Sequence, residues 1–383
     1  MGMTTILAAA DYAAPLVPDL EALATPALFL FAERMDANVQ TTLRLMGQDA
    51  GRWRPHVKTA KLLWAMRRLV AAGVRQAKCA TTLELETACR AGFDDVIISY
   101  PVVGPHVEAV RALAGEFPAV RISTLVEAAE MVPAWRGSRV GLFVDVNPGM
   151  NRTGAPDDAG AVLAIVRAIA AAGLEFRGLH SYDGPGTFAQ GDAVRMVPAG
   201  YDRLLAVADA IARAGFRPAE ITTAGTSAFA AALSYRRFLD AGYVHRLTPG
   251  TVTYCDVRSL GEEVPPDAGY LPAMLVASRV VSHPLPHRIT CDAGHKTVAA
   301  DSGDPTCAVV GHPDWIPRHP SEEHLPIDLP DGSALPARGE LLWLVPRHVC
   351  PTVNNFDHAV VVENGRVLGV EPVTARGRRR PLP

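Results

Sequence analysis

Near the C-terminus, the stretch RHVCPTVN places His348 and Cys350 two residues apart. In an extended segment alternate side chains share a face, so an imidazole and a thiol would project together, which is half of a metal site or an accident of spacing. A second pair with this spacing lies in RPHVKT, where His56 and Lys58 alternate onto one face. A lysine at a strand end either carries its ammonium to solvent along its own stem or is kept neutral, and a neutral amine can form a Schiff base. Three further segments place polar residues after β-prone runs. Asp145 and Arg152 flank a glycine-containing turn in VDVNPGMNRTG, His180, Tyr182 and Asp183 cluster in LHSYDG, and Gly225, Thr226 and Ser227 open a small-residue turn in TTAGTS. That last turn either offers N–H groups and hydroxyls to a phosphate or is only a helix cap. Taken singly, SYDG reads equally as a turn and Arg152 as half of a surface ion pair.

The rhythm of the chain gives these residues a common address. From Thr25 onward, the β-prone runs ALFLFA, WRPHVKT, QAKCATT, DDVIISYP, AVRISTLV, VGLFVDVNPG, EFRGLHSYDG and AEITTAGTS alternate with helix-prone segments such as DAGAVLAIVRAIAAAG. Those segments carry apolar residues at helical spacing and end on glycine. Eight alternating units predict an α/β chain with a closed (β/α)₈ barrel of the TIM type, with an open doubly wound sheet as the second arrangement. In such a barrel chemistry sits at the C-terminal ends of strands, and the candidates end the second, sixth, seventh and eighth runs. From about Tyr254 the helical period fades into short β-prone runs, with Asn364-Gly365 as a hairpin signal. The expected division is a barrel over residues 25–253 and a mainly-β domain over 254–383 with residues 1–24. RHVCPTVN then ends a strand of the second domain.

Composition limits the remaining classes. Of 383 residues, 49% are hydrophobic and 20% charged, which excludes a disordered chain. A net charge of −3 and 6% aromatic residues leave no basic or stacking surface for nucleic acid. Six cysteines are scattered without a C-x-x-C pair, as in a reduced cytoplasmic protein. The N-terminal stretch lacks a basic region and is interrupted by Asp11, Asp19 and Glu21, so it does not read as a secretory signal. No apolar run reaches the roughly 18 residues of a membrane span. Dinucleotide, P-loop, zincin and nucleophile-elbow motifs are absent from the sequence.

A lysine on one strand end, an arginine on another and an anion cradle on the last describe a site for pyridoxal 5′-phosphate (PLP). The motifs RPHVKT, AGFDDVIISYPVVG, VDVNPGMNRTG, LTPGTVTYCD, CDAGHKTVAADSGDP and RHVCPTVN span nearly the whole chain. In this order they resemble the D-threonine aldolase and eukaryotic-type D-serine dehydratase family, whose fold is alanine racemase-like. The resemblance implies Lys58 as the Schiff-base lysine, Arg152 at the pyridine nitrogen, Tyr182 lining the cofactor, and Gly225 and Thr226 at its phosphate. It also implies a divalent metal on His348 and Cys350, and a homodimer in which a second subunit completes the site. Two departures stand out: Ala60, where many relatives have histidine, and Ala224, where a glycine-rich run is usual.

On a D-3-hydroxy-amino acid two outcomes compete. If Lys58 removes the α-proton, the β-hydroxyl leaves and a 2-oxo acid and ammonia result. If a base deprotonates that hydroxyl, with His56 and His180 as candidates, Cα–Cβ cleavage gives glycine and an aldehyde. Thiolate with imidazole suits zinc, whereas a carboxylate partner suits manganese or magnesium. Because the cysteine version resembles the dehydratase side, the sequence puts D-serine dehydratase-type elimination first and D-threonine aldolase-type cleavage second. A metal-free racemase, with Tyr254 as a cofactor-binding residue and second base, or a PLP carrier comes third. A small-molecule substrate and a second copy are the expected partners, with no nucleic acid and no membrane.

Overall fold

The computed structural model describes Val17 and residues 20–183, 193–265 and 267–379. Most of the N-terminal stretch read above as free of a secretory signal therefore lies outside the described residues. By its contacts the chain forms two compact units. One consists mainly of Leu43–Lys58 and Met66–Gly250, the other of Thr59–Ala65 and Thr251–Gly377 with the chain before Leu43.

Strand β1 (Ala27–Phe31), the first run read as a barrel strand, belongs to the second unit. It pairs antiparallel with Met274–Ala277 and parallel with Val360–Val362. Phe29 and Phe31 there turn their rings against the edge of Trp343, at centroid distances of 4.9 and 5.7 Å. An ALFLF run is apolar on both faces and suits either sheet, and long-range aromatic packing decides between them.

The barrel is built from β2 (Gln76–Cys79), β3 (Asp95–Pro101), β4 (Arg121–Val126), β5 (Gly141–Asp145), β6 (Phe176–His180), β7 (Glu220–Thr223) and β8 (His245–Leu247), all parallel and in sequence order. WRPHVKT supplies the remaining stave. Arg54 N–H donates to the Leu247 carbonyl at 2.9 Å on one side, and Val57 N–H to the Lys78 carbonyl at 2.7 Å on the other. The runs counted second, sixth, seventh and eighth from sequence are thus the first, fifth, sixth and seventh staves. Strand β8 escaped the reading because it is three residues, HRL, centred on a charge. Continuous apolar runs such as GLFVD in β5 are wholly buried, as expected of parallel strands covered on both faces.

Charge closes the N-terminal ends of the staves. Arg54, fully buried, makes a two-pronged contact with Glu220 at 2.8 and 2.9 Å and a third bond to Asp95 at 3.0 Å. Arg177 adds a bond to Asp95 at 2.6 Å, and Arg246 reaches Glu220. Gly178 lets β6 and β7 close in beside this network, since a Cβ there would stand 1.8 Å from the Glu220 carbonyl oxygen.

The second unit is a nine-stranded sheet. Its further strands are β9 (Met274–Leu285), β10 (Arg288–Cys291), β11 (Cys307–Val309), β12 (Ile316–Pro317), β13 (Leu325–Asp328), β14 (Leu341–Pro346), β15 (His358–Glu363) and β16 (Arg366–Pro372). The long β9 pairs with β10, β1 and β14. Asn364 and Gly365 join β15 to β16 with φ of 50° and 78°, as a type I′ hairpin turn requires. Among the described residues no helix is long and apolar enough to cross a membrane. All six cysteines are buried and none is in a disulfide.

Candidate active site

Lys58 leaves the closing stave with an exposed side chain. Its backbone N–H donates to Nδ1 of the buried His56 at 3.3 Å, so the ring proton of His56 sits on Nε2, 3.5 Å from Ser99 Oγ. At the ends of β5 and β6, Asp145 and His180 meet at 2.6 Å through Oδ1 and Nδ1. Burial, then the charge of Lys78, lowers the His180 pKa, with Asp145 opposing them. Burial would raise the Asp145 carboxyl, but His180 outweighs it and holds the group below its usual range. His180 is accordingly a neutral imidazole that donates Nδ1–H to Asp145. Its Nε2 is buried and has no hydrogen-bond partner among the described residues.

The sequence reading missed Lys78, in the middle of QAKC. It is 2% exposed, and its Nζ lies 3.3 Å from the Thr248 hydroxyl, which hands its own proton to the Ala224 carbonyl at 2.7 Å. Burial, reinforced by the nearby Lys58, lowers Lys78 to about 7. Its Nζ lies 5.4 Å from the Tyr182 ring centre, and Arg152 Cζ lies 4.7 Å from the same centre. The signal was the one applied to Lys58, a lysine inside a β-prone run, but Lys78 lies mid-strand and not at a strand end. Asp183, also buried, accepts from the Tyr201 hydroxyl and the Gly225 N–H, while burial raises its carboxyl to about 6. Tyr201 had no local signal because it lies in the helix Ala193–Arg213.

Gly225 precedes the short 3₁₀ turn Thr226–Ala228, and a Cβ on it would come 2.8 Å from the Tyr182 ring. Thr226 is buried and Ser227 half-buried. Ala224, the flagged departure, adopts φ of 58°, the left-handed region that favours glycine. Asp145, Arg152, Thr153 and Tyr182 line a small cleft. An amine at the rim, a guanidinium against an aromatic ring, a small-residue turn and the orphaned buried nitrogen of His180 together fit PLP.

In the other unit RHVCPTVN is not a strand end. Strand β14 stops at Pro346, His348 is extended at φ −132° and ψ 105°, and Cys350 lies in the first turn of the helix Val349–Asn354. Helix entry, in place of strand alternation, brings the two side chains together. Fully buried Asp256 pins this entry by accepting from Val349 N–H at 2.9 Å and Ser259 N–H at 2.8 Å. Cys350 Sγ lies 3.0 Å from the Thr59 hydroxyl and 3.7 Å from that of Thr251. His348 Nδ1 lies 2.6 Å from Asp301 Oδ2 and 3.2 Å from Ser302 Oγ. Burial pulls the His348 pKa down, but the Cys350 thiol and Asp301 outweigh it and raise the ring to about 9. Among the described residues no group of three or more His, Cys, Asp or Glu forms a metal cluster. An imidazole and a thiol still fit a divalent ion that keeps positions open for substrate. Tyr254, fully buried, donates its hydroxyl to the Ala60 carbonyl at 2.8 Å, and burial raises its pKa.

Comparison with known proteins gives two family matches along the chain. Residues 32–256 match the N-terminal domain of alanine racemase, and residues 273–362 match a putative serine dehydratase domain. D-Threonine aldolase of an Arthrobacter species is 30% identical over 93% of each chain. A 3-hydroxy-D-aspartate aldolase of Paracoccus denitrificans is 28% identical over 96% of each. D-threo-3-hydroxyaspartate dehydratase of a Delftia species is 25% identical over 87% of this chain and 92% of its own. The crystal structure of D-threonine aldolase from Filomicrobium marinum superposes with a TM-score of 0.84 at 29% identity, covering 94% of this chain and 97% of that one. The chain belongs to the alanine racemase-like family of PLP-dependent lyases that includes D-threonine aldolase and 3-hydroxyaspartate dehydratase.

Proposed function

We propose that this lyase cleaves D-3-hydroxy-amino acids at Cα–Cβ to glycine and an aldehyde, with PLP on Lys58 and a divalent ion on His348 and Cys350. The observation that carries it is His180, a neutral buried imidazole whose Nδ1 proton is committed to Asp145 and whose Nε2 is an acceptor with no partner among the described residues. Such a nitrogen suits a base that takes the proton of a β-hydroxyl. Similarity to aldolases over 93% and 96% of the chain supports the same choice. PLP, when bound, supplies the electron sink. Lys58 would anchor it, Tyr182 and Arg152 would orient its ring, and Thr226 and Ser227 with Gly225 would hold its phosphate. The ion supplies Lewis acidity toward the substrate hydroxyl, and zinc suits the thiol–imidazole pair ahead of manganese or magnesium.

One observation favours a second reading, β-elimination to a 2-oxo acid and ammonia: the Cys350 thiol paired with His348. Metal-free racemisation is disfavoured, because the Tyr254 phenol is fully buried and bonded to Ala60. The same reading takes the enzyme as a cytoplasmic homodimer, in keeping with six cysteines outside any disulfide. Product analysis with D-threonine and D-serine, with and without chelator, tests it. Glycine with acetaldehyde is expected; pyruvate or 2-oxobutyrate with ammonia would replace it with elimination.

A further inference from the structure

We infer that Asp301 is the positioning residue of the metal pair, holding the His348 ring so that Nε2 is the nitrogen presented to the ion. This rests on the reading of His348 and Cys350 as metal ligands. An imidazole has two nitrogens, and the one not bound to a metal usually donates its proton to a carboxylate or carbonyl that fixes both tautomer and ring orientation. In this chain Asp301 Oδ2 lies 2.6 Å from His348 Nδ1, and Ser302 Oγ lies 3.2 Å from the same atom. With Nδ1 engaged from two consecutive residues, Nε2 is left as the coordinating atom.

The backbone is held as firmly as the ring. Asp256 takes the Val349 N–H, between the two ligands, and the Thr352 hydroxyl donates to the His348 carbonyl at 2.8 Å. The peptide that carries the imidazole therefore cannot pivot freely, and χ rotation of His348 is the freedom that remains for Asp301 to remove. Asp301 lies 47 residues before His348 in the chain, in CDAGHKTVAADSGDP, so no local spacing reveals the pairing. Its carboxylate also raises the electron density of the ring it accepts from, which strengthens Nε2 as a donor.

The test is metal affinity, read by competition of Zn²⁺ between the PLP-loaded enzyme and a chromophoric chelator. Asp301→Ala should weaken binding by about 10–100-fold. Asp301→Asn, which keeps an oxygen for Nδ1–H but loses the charge, should fall between it and the native enzyme. Cofactor absorbance and the melting temperature of the metal-stripped protein should stay unchanged in both, which separates positioning from folding. Native affinity in Asp301→Ala overturns the inference alone, provided that His348→Ala and Cys350→Ala lose the ion. A native protein that takes up no Zn²⁺ overturns the ligand reading and the inference together.

Discussion

The two ends of the barrel hold similar charges in opposite conditions. At the N-terminal end, Arg54, Arg177 and Arg246 meet Asp95 and Glu220 in short, shared contacts, and Asp95 is held at about 2 because its two arginines outweigh the effect of burial. Toward the C-terminal end, Lys78 inside its strand is lowered to about 7, Asp183 is raised to about 6, and a nitrogen of His180 has no partner among the described residues. Charges matched in this way serve the fold. Charge kept away from its ordinary ionisation, beside buried polar atoms without partners among the described residues, marks a candidate ligand site.

Four experiments break or sharpen this contrast. Lys58→Ala should abolish turnover and the visible imine band of the lysine-bound cofactor while leaving the melting temperature of the apoprotein in place. Retained turnover would move the anchor elsewhere, with Lys78 the first alternative. Glu220→Ala should do the reverse, costing about 3–5 kcal/mol in urea unfolding because Arg54 and Arg246 lose a buried partner. A loss below about 1 kcal/mol would mean the network is not the brace its geometry suggests.

Lys78→Met tests the unbalanced end through pH. The native pKa is about 7 and the ordinary value 10.5, so between these values the unfolded chain holds the extra proton. Stability from this group therefore rises with pH across that window, at up to ~1.4 kcal/mol per unit, and falls as pH drops toward 7. In thermal melts of the apoprotein, Lys78→Met should flatten that rise, and an unchanged slope would place the amine in water. The smallest effect is at Ala224. Relief of its left-handed strain by Ala224→Gly should stabilise the apoprotein by about 0.5–1 kcal/mol, less than the strain itself because glycine also frees the unfolded chain.

How much could be read without coordinates follows the range of the signal. Lys58, Arg152, Tyr182 and Gly225 sit at strand ends or in turns, where adjacent residue types are enough to raise a question. Lys78 sits between Ala77 and Cys79 and looked like an ordinary strand residue. Strand β1 went to the wrong sheet because a run apolar on both faces does not name its partner. His348 and Cys350 stand out as a pair by their spacing, but a helix start and not a strand sets their geometry.

The alternation of β and α, the helix-ending glycines, the Asn364-Gly365 turn and the chemistry-bearing pairs belong to the sequence itself, because each depends on residues within a few positions. The closing of the barrel by WRPHVKT against β2 and β8, the capture of β1 by Trp343 and the bond from Asp301 to His348 belong to the tertiary structure. Each joins residues tens to hundreds of positions apart, and each is settled by packing and charge matching that no local pattern carries.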